Sequence, residues 1–419
     1  MTERPSIYAN AAEVPPDPIE EFWSARPILD HIRTYARARR AGPWAVLGAV
    51  LARAIAATEP NLMLPDLTGV PASLNLFVVL VGKSGGGKGV AEGVARHAVQ
   101  FADGLGAIVT DEYPIGSGEG LARTYMPSAK ESDPPPPTRA ILSAPEIDTL
   151  VALGGRQGST LMAELRKVYS GEAIGFANAN RATRTIVAAH AYRACLIMGA
   201  QPLRSGPLFG DAAGGTPQRC LYLTVYDHDA PEDAPATPAP VEVKVKRYTA
   251  EQVHMGFPPE VREEFNRYHW ARVREDDIDE LDGHKMLTRA KVAAALAILE
   301  ERPEVTTEDW KLAGTIIRAS DRTRDEMVAA VAEQAREAAR ARAEVKATEA
   351  AILEDRAEDR DRDRIRGSVL RCLDRRGSAT RKDLRNNLRA ALRDRLDAEL
   401  AELESEGVIT HDGTSYRRA

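Results

Sequence analysis

Two stretches near the start of the chain carry apolar residues at every third or fourth position. Ile28, Leu29, Ile32 and Tyr35 form one stripe, and Val46, Leu47, Val50, Leu51 and Ile55 a second. That spacing puts each set on one helix face, so 19–57 is predicted helical. Pro60, Pro65 and Pro71 then interrupt the chain. Beyond them the period changes: short apolar runs alternate with helical stretches as far as about Asp227, which predicts an α/β domain with a mostly parallel sheet. The predicted strands are Asn75–Val81, Ala107–Thr110, Arg139–Ser143, Ala194–Met198 and Cys220–Val225, with a proline loop at 134–137. Asp229–Pro240, with four prolines and several acids, reads as a linker. Helical periodicity returns over 257–319. From about Arg322 to Arg366, Ala, Glu and Arg dominate, which predicts a solvated helical stalk, frayed around 358–364.

The C-terminal segment has a pattern of its own. Ile365, Val369, Leu370 and Leu373 share a helix face, and 377–380 is a turn and N-cap. A second helix runs through Leu384 and Leu388, and a third from about Ala390 to Glu406, ended by Gly407. Residues 408–418 read as a hairpin turning at Asp412-Gly413. Three helices and a hairpin in this order predict a winged helix. Arg381, Lys382, Arg385, Arg389, Arg417 and Arg418 are its candidate DNA-phosphate contacts. The candidate recognition helix, however, carries Asp394, Asp397, Glu399, Glu402 and Glu404, a composition that also suits docking to protein.

The strongest chemical signal follows the first predicted strand. Gly82, Lys83, Ser84, Gly85, Gly86, Gly87, Lys88 and Gly89 spell a phosphate-binding loop between a strand and a helix expected to begin near Val90. Glycines let the backbone amides converge on a phosphate chain, and the helix N-terminus adds positive dipole. Lys88 is predicted to reach the β- and γ-phosphates of ATP. Gly89 stands where a Ser or Thr hydroxyl normally ligates Mg²⁺. After the strand Arg139–Ser143, Glu146 is the candidate catalytic carboxylate, while Pro145 occupies the position of an Mg²⁺-orienting acid; Asp148 is the substitute metal ligand. Gln201 ends the next apolar run, as a group to hold the γ-phosphate or the attacking water. Arg219, just before the last strand, is the candidate arginine finger for a neighbouring subunit.

This order of P-loop, Glu146 strand, Gln201 strand end, Arg219, helical region and winged helix resembles minichromosome-maintenance helicases and related AAA+ motors. The segment 285–299 followed by Val305-Thr306-Thr307-Glu308-Asp309 looks like their lid, and the resemblance makes Arg289 its nucleotide-facing basic residue. Trp44–Arg53, Gly116–Gly120 and Thr216–Arg219 are similar to the P-loop module of actinobacterial phages and mobile elements, often found beside primase-polymerase domains. The resemblance covers roughly 20–320. It implies a P-loop NTPase fold, a role in DNA replication, ATP and Mg²⁺ as cofactors, and a homo-oligomeric, hexameric ring.

The expected organisation is an N-terminal helical region (1–73), a P-loop ATPase core (74–228), a linker (229–241), a helical lid (242–321), a charged stalk (322–364) and a winged helix (365–419). Two functional classes fit it. One is a DNA-dependent ATPase motor; the other is a nucleotide-switched DNA-binding initiator or regulator that hydrolyses little ATP. A small-molecule kinase would need neither stalk nor winged helix.

Bulk properties narrow the setting. A length of 419 residues suits two or three domains. With 43% hydrophobic and 28% charged residues the chain is globular rather than disordered. A net charge of -6 provides no global attraction to nucleic acid, so any such patch is local. Cys195, Cys220 and Cys372 are scattered without metal-ligand spacing, as in a reducing compartment. Residues 1–18 lack an apolar signal core, and the apolar stretch 45–57 is too short for a bilayer and carries Arg53. A cytoplasmic protein without a membrane partner is expected.

Overall fold

The computed structural model describes residues 19–67, 69–128, 134–154, 159–177, 184–211, 214–274 and 280–419. The chain forms two compact units, Met1–Glu333 and Gln334–Ala419.

The first unit is built on five strands: β1 (Phe77–Val81), β2 (Asp111–Pro114), β3 (Arg139–Ala144), β4 (Arg193–Ala200) and β5 (Cys220–Thr224). They lie in the order β5-β1-β4-β3-β2, and every pairing is parallel. β1 and β4 are buried along their whole length, as expected of strands covered on both faces. Alternate residues divide between two cores. Val78, Leu80, Ile197, Leu221 and Leu223 pack on one face with helices Pro27–Ala38, Pro43–Ala56 and Lys88–Ala98. Phe77, Val79, Leu196, Met198 and Tyr222 pack on the other with helix Leu161–Ser170. Helix Pro43–Ala56 is buried nearly all round. Gly48 lets it settle onto the sheet, because a Cβ there would lie 2.5 Å from Leu223 Cδ1.

Four predicted strands appear with small boundary shifts; the second moves. The sequence reading placed it at Ala107–Thr110, but the sheet strand is Asp111–Pro114. β2 is an edge strand paired only to β3, so it needs no apolar alternation, and its Glu112 takes Arg53 and Arg96. Ile108 and Val109 drew the prediction, yet Val109 is exposed. The linker prediction at 229–240 coincides with exposed chain lacking helix or strand; then Val241–Lys244 pairs with Val99–Asp103 in a separate small sheet.

The segment expected as a lid packs into the same unit. Helix Lys285–Leu299 is almost wholly buried, and its Lys291 Nζ donates to Asn75 O and Tyr169 O, each at 2.7 Å. Burial pushes the Lys291 pKa well below its ordinary value. Asn75 lies two residues before the start of β1, so this helix is anchored at the end of the sheet opposite the glycine loop. The C-terminal ends of β1 and β4 are instead bordered by the next helix, Thr307–Arg376, whose Thr323, Met327 and Ala330 line a cavity with Val81 and Gln201. That helix is continuous through 358–364, where fraying was expected. Arg362–Asp359 and Arg364–Asp361 pairs one turn apart support it.

The second unit has its own core of Ile365, Val369, Leu373, Leu384, Leu396, Leu400 and Ile409. Thr380 and Asp383 form a reciprocal capping box at helix Arg381–Asn386. The expected third helix divides into a 3₁₀ segment, Ala390–Arg395, and an α-helix, Leu396–Ser405. Strand Ser378–Ala379 joins the hairpin Ile409–His411 and Tyr416–Arg418, making three antiparallel strands.

A buried ionic network holds the start of the long helix. Asp309 is fully buried; its carboxylate accepts from Arg26 Nη1 at 2.6 Å, Arg302 Nη1 at 2.9 Å and the Thr306 N–H at 2.7 Å. Burial alone would raise the Asp309 pKa, but hydrogen bonds from Arg302, Thr306 and Arg26 outweigh it and hold the group below its usual range. Removing one member of such a pair strands the other. We expect Asp309→Ala to cost about 3–5 kcal/mol by urea denaturation at neutral pH. A depressed carboxyl pKa stabilises above the unfolded value, and that contribution is lost as pH falls through the folded one. The gap between wild type and variant should therefore narrow below about pH 4; a gap independent of pH would contradict the charged assignment.

Candidate nucleotide-binding site

β1 ends at Val81, and residues 82–87 turn directly into helix Lys88–Ala98, two residues earlier than the pattern suggested. Gly85 (φ +73°) and Gly87 (φ +93°) adopt left-handed backbone that favours glycine. The Gly86 N–H donates to Lys83 O at 3.0 Å, closing a turn. Gly82 is packed from below, since a Cβ there would lie 2.2 Å from Val225 Cγ2. Above the loop the situation reverses. A Cβ built on Gly85, Gly87 or Gly89 meets nothing within 4 Å, so the loop presents bare backbone to open space.

Lys88 lies in the first turn of the helix, with Nζ 3.2 Å from Gly82 O and 3.4 Å from Lys83 O. Glu146, just beyond β3, places Oε1 3.4 Å from that Nζ. Gln201, just beyond β4, donates Nε2 to Glu146 Oε2 at 3.2 Å. Three of the predicted residues are thus brought together at the C-terminal ends of neighbouring parallel strands, where open α/β sheets bind ligands. β4 separates β1 from β3, so Glu146 and Lys88 meet only by crossing it. Gly199 permits the crossing: a Cβ there would lie 2.1 Å from Pro145 O and 3.0 Å from Lys88 Cε. The sequence reading missed Gly199, although a glycine inside an apolar strand is a signal of close backbone approach. It also missed Tyr226, whose Oη accepts the Lys83 N–H at 2.8 Å.

Other predicted site residues lie elsewhere. Arg219 precedes β5, and Cys220 pairs with Phe77, so Arg219 is at the opposite end of the sheet, roughly 15 Å of strand from the loop. Its Nη1 donates to Gly215 O at 2.5 Å, and its guanidinium carbon is 5.9 Å from the centroid of the Tyr169 ring. Burial pushes its pKa below the ordinary value. Arg289 is held by Glu264 at 3.0 Å and by Trp310 O, with its guanidinium 3.9 Å from the Trp310 ring centroid. It is not gathered with Lys88. The Asp148 side chain lies outside the described residues.

The loop suits a phosphate chain: exposed backbone, positive-φ glycines and one ammonium beneath. For Mg²⁺ the donors are fewer. Gly89 offers no hydroxyl and Pro145 no carboxylate, which leaves Glu146; among the described residues no group of three or more His, Cys, Asp or Glu could hold a metal.

In the second unit most candidate DNA contacts face acids. Arg381 pairs with Asp397, Arg385 with Asp394 at 3.7 Å, Arg417 with Asp412 at 3.2 Å and Arg418 with Asp374 at 2.7 Å. Glu399 and Glu402 of helix Leu396–Ser405 receive Arg366. Lys382 and Arg389 are exposed and, among the described residues, make no ion pair.

The crossing at Gly199 is open to a direct test. Gly199→Ala should lower stability by about 1–3 kcal/mol and, by displacing Pro145 and the Lys88 stem, weaken tripolyphosphate binding measured by calorimetry. Wild-type melting together with wild-type affinity would show that the site does not depend on this approach.

No protein-family model matches the chain, and no curated protein sequence matches it.

Proposed function

We propose that the chain is a P-loop ATPase of DNA replication, with ATP in the 82–89 loop, Mg²⁺ carried by its phosphates, and a winged helix in the second unit. The observation that carries the reading is the meeting of Lys88, Glu146 and Gln201 at the strand ends. The amides of the loop and the Lys88 ammonium hold the β- and γ-phosphates, and the helix N-terminus adds its dipole. Glu146 takes a proton from the attacking water, and Gln201 orients that carboxylate. Lys88 Nζ lies 3.4 Å from Glu146 Oε1, so a bound phosphate competes with Glu146 for the ammonium and frees the carboxylate for water. Mg²⁺, when bound, neutralises phosphate oxygens, and Gly89 contributes nothing to it, which slows turnover.

The assembly proposed is a homo-oligomeric, hexameric ring on DNA, with a primase-polymerase as its partner. Arg219 lies too far from its own loop to serve it, so any catalytic use is in a neighbour's site and requires it to leave Gly215 and Tyr169. A second reading, a nucleotide-switched DNA-binding initiator with little hydrolysis, is favoured by Gly89 and by Pro145. ATP turnover measured with and without single-stranded DNA separates the two.

Lys88→Ala should abolish the thermal stabilisation that ATP confers on the wild type. Glu146→Gln should keep that stabilisation and lower turnover on the order of 10²-fold or more. A shift with ATP that survives Lys88→Ala would remove the nucleotide assignment, and undiminished turnover in Glu146→Gln would remove Glu146 as base.

The DNA assignment rests on Lys382 and Arg389, the candidate contacts that make no ion pair among the described residues. Lys382→Glu with Arg389→Glu should weaken duplex binding and flatten its logarithmic salt dependence by about 2. Arg381→Ala, already neutralised by Asp397, should change the slope little. A double variant with an unaltered slope would assign the second unit to protein docking.

A further inference from the structure

We propose that Tyr226 is a positioning residue that couples the phosphate loop to a nucleoside cleft at the end of β5; this rests on the nucleotide reading of the loop. Its hydroxyl accepts the Lys83 N–H at 2.8 Å. The Lys83 carbonyl in turn accepts the Gly86 N–H at 3.0 Å and lies 3.4 Å from Lys88 Nζ. One tyrosine therefore holds the residue around which both the turn and the phosphate-binding lysine are set. The Tyr226 N–H donates to Thr224 Oγ1 at 3.2 Å, which ties the tyrosine to the strand end. A Cβ on Gly86 would lie 3.3 Å from the Tyr226 hydroxyl, so the side chain stands directly against the loop.

Two cavities meet at Tyr226. One, of about 390 Å³, includes Gln201, Pro202 and Met327. The other, of about 250 Å³, includes Trp44, Leu223, Asp227 and His228. Thr224, Thr323 and Glu326 line both. The direction of the bound chain decides between them. Glu146 and Gln201 mark the reacting phosphate on the side of β3 and β4. A phosphate chain running from there along the loop crosses β1 and reaches β5, the next strand in the sheet. The nucleoside is thereby delivered to the cavity lined by Tyr226 and Trp44, whose aromatic rings suit a flat base. Asp227 there is already bound by Arg37 at 2.8 and 3.2 Å, so its charge is compensated beside a polyanion. The ligand class is a nucleoside triphosphate whose base is held in this aromatic-lined cavity, rather than a bare polyphosphate.

The test compares ATP with tripolyphosphate on the full chain by calorimetry. Tyr226→Phe keeps the ring and loses the hydroxyl; it should weaken both ligands alike, about fivefold, the effect of one hydrogen bond, with ligand-free melting near that of the wild type. Ala319→Trp fills the cleft from a position that lines it and not the Gln201 cavity; it should weaken ATP by about tenfold or more while tripolyphosphate stays within about twofold, estimates that follow from excluding the base alone. The ratio of the two ligands within one variant controls for loss of folded protein, and Ala319→Leu offers a smaller filling if tryptophan is not accommodated. Equal losses for both ligands in the cleft variants, or no change in Tyr226→Phe, would overturn the proposal. If wild type binds neither ligand, or Lys88→Ala leaves both affinities unaltered, it is the nucleotide reading itself that fails.

Discussion

The ion pair between Lys88 and Glu146 spans a strand that belongs to neither residue. β4 lies between β1 and β3, and both side chains reach across its end. That reach is possible because Gly199 has no side chain to block it. Packing, charge and sheet order therefore meet at one point. The interposed strand also contributes Gln201, which turns a pair into a triad with Glu146 at its centre. A sheet with β3 directly beside β1 would bring the carboxylate against the loop and leave no such third group between them.

The two ends of the sheet have different roles. At the C-terminal ends the chain leaves backbone bare and side chains polar. At the N-terminal ends it buries cations. Arg193 is fully buried and donates to Ser73, Glu59 O and Leu62 O, and Lys291 to Asn75 O and Tyr169 O. Burial pushes Arg193 down to about 10. Their carbonyl and hydroxyl partners neutralise no charge, so these cations serve as crosslinks: Arg193 ties the start of β4 to the segment 59–73 ahead of β1, and Lys291 ties helix Lys285–Leu299 to Asn75 and Tyr169. Arg219 belongs to this end by position, with a carbonyl and an aromatic ring as its neighbours.

Charge in the second unit is arranged by pairing rather than by segregation. Acids of helix Leu396–Ser405 draw Arg362 and Arg366 from the long helix, and Asp374, Asp394, Asp397 and Asp412 each take an arginine. Exposed pairs of this kind add little stability. Their effect is electrostatic masking of those arginines; of the candidate DNA contacts, Lys382 and Arg389 are the two that make no ion pair among the described residues.

Sequence alone determined the elements with a strong local signature. Buried parallel strands announce themselves as apolar runs, and β1, β3, β4 and β5 were legible for that reason. The glycine loop and Lys88 were legible because the backbone conformation they need is local. Glu146 and Gln201 were legible as strand-end residues, but not their hydrogen bond. The strand order was not encoded in any window of the chain, and it decided what meets what. β2 escaped because an edge strand facing solvent needs no apolar pattern. Gly199 and Tyr226 escaped because their importance lies in distant partners, Pro145 with Lys88 and Lys83. The tertiary structure alone placed Arg219 and Arg289 away from the loop and turned the expected lid helix into core. Helical periodicity shows which face is buried but not against which surface, and long-range packing settles that.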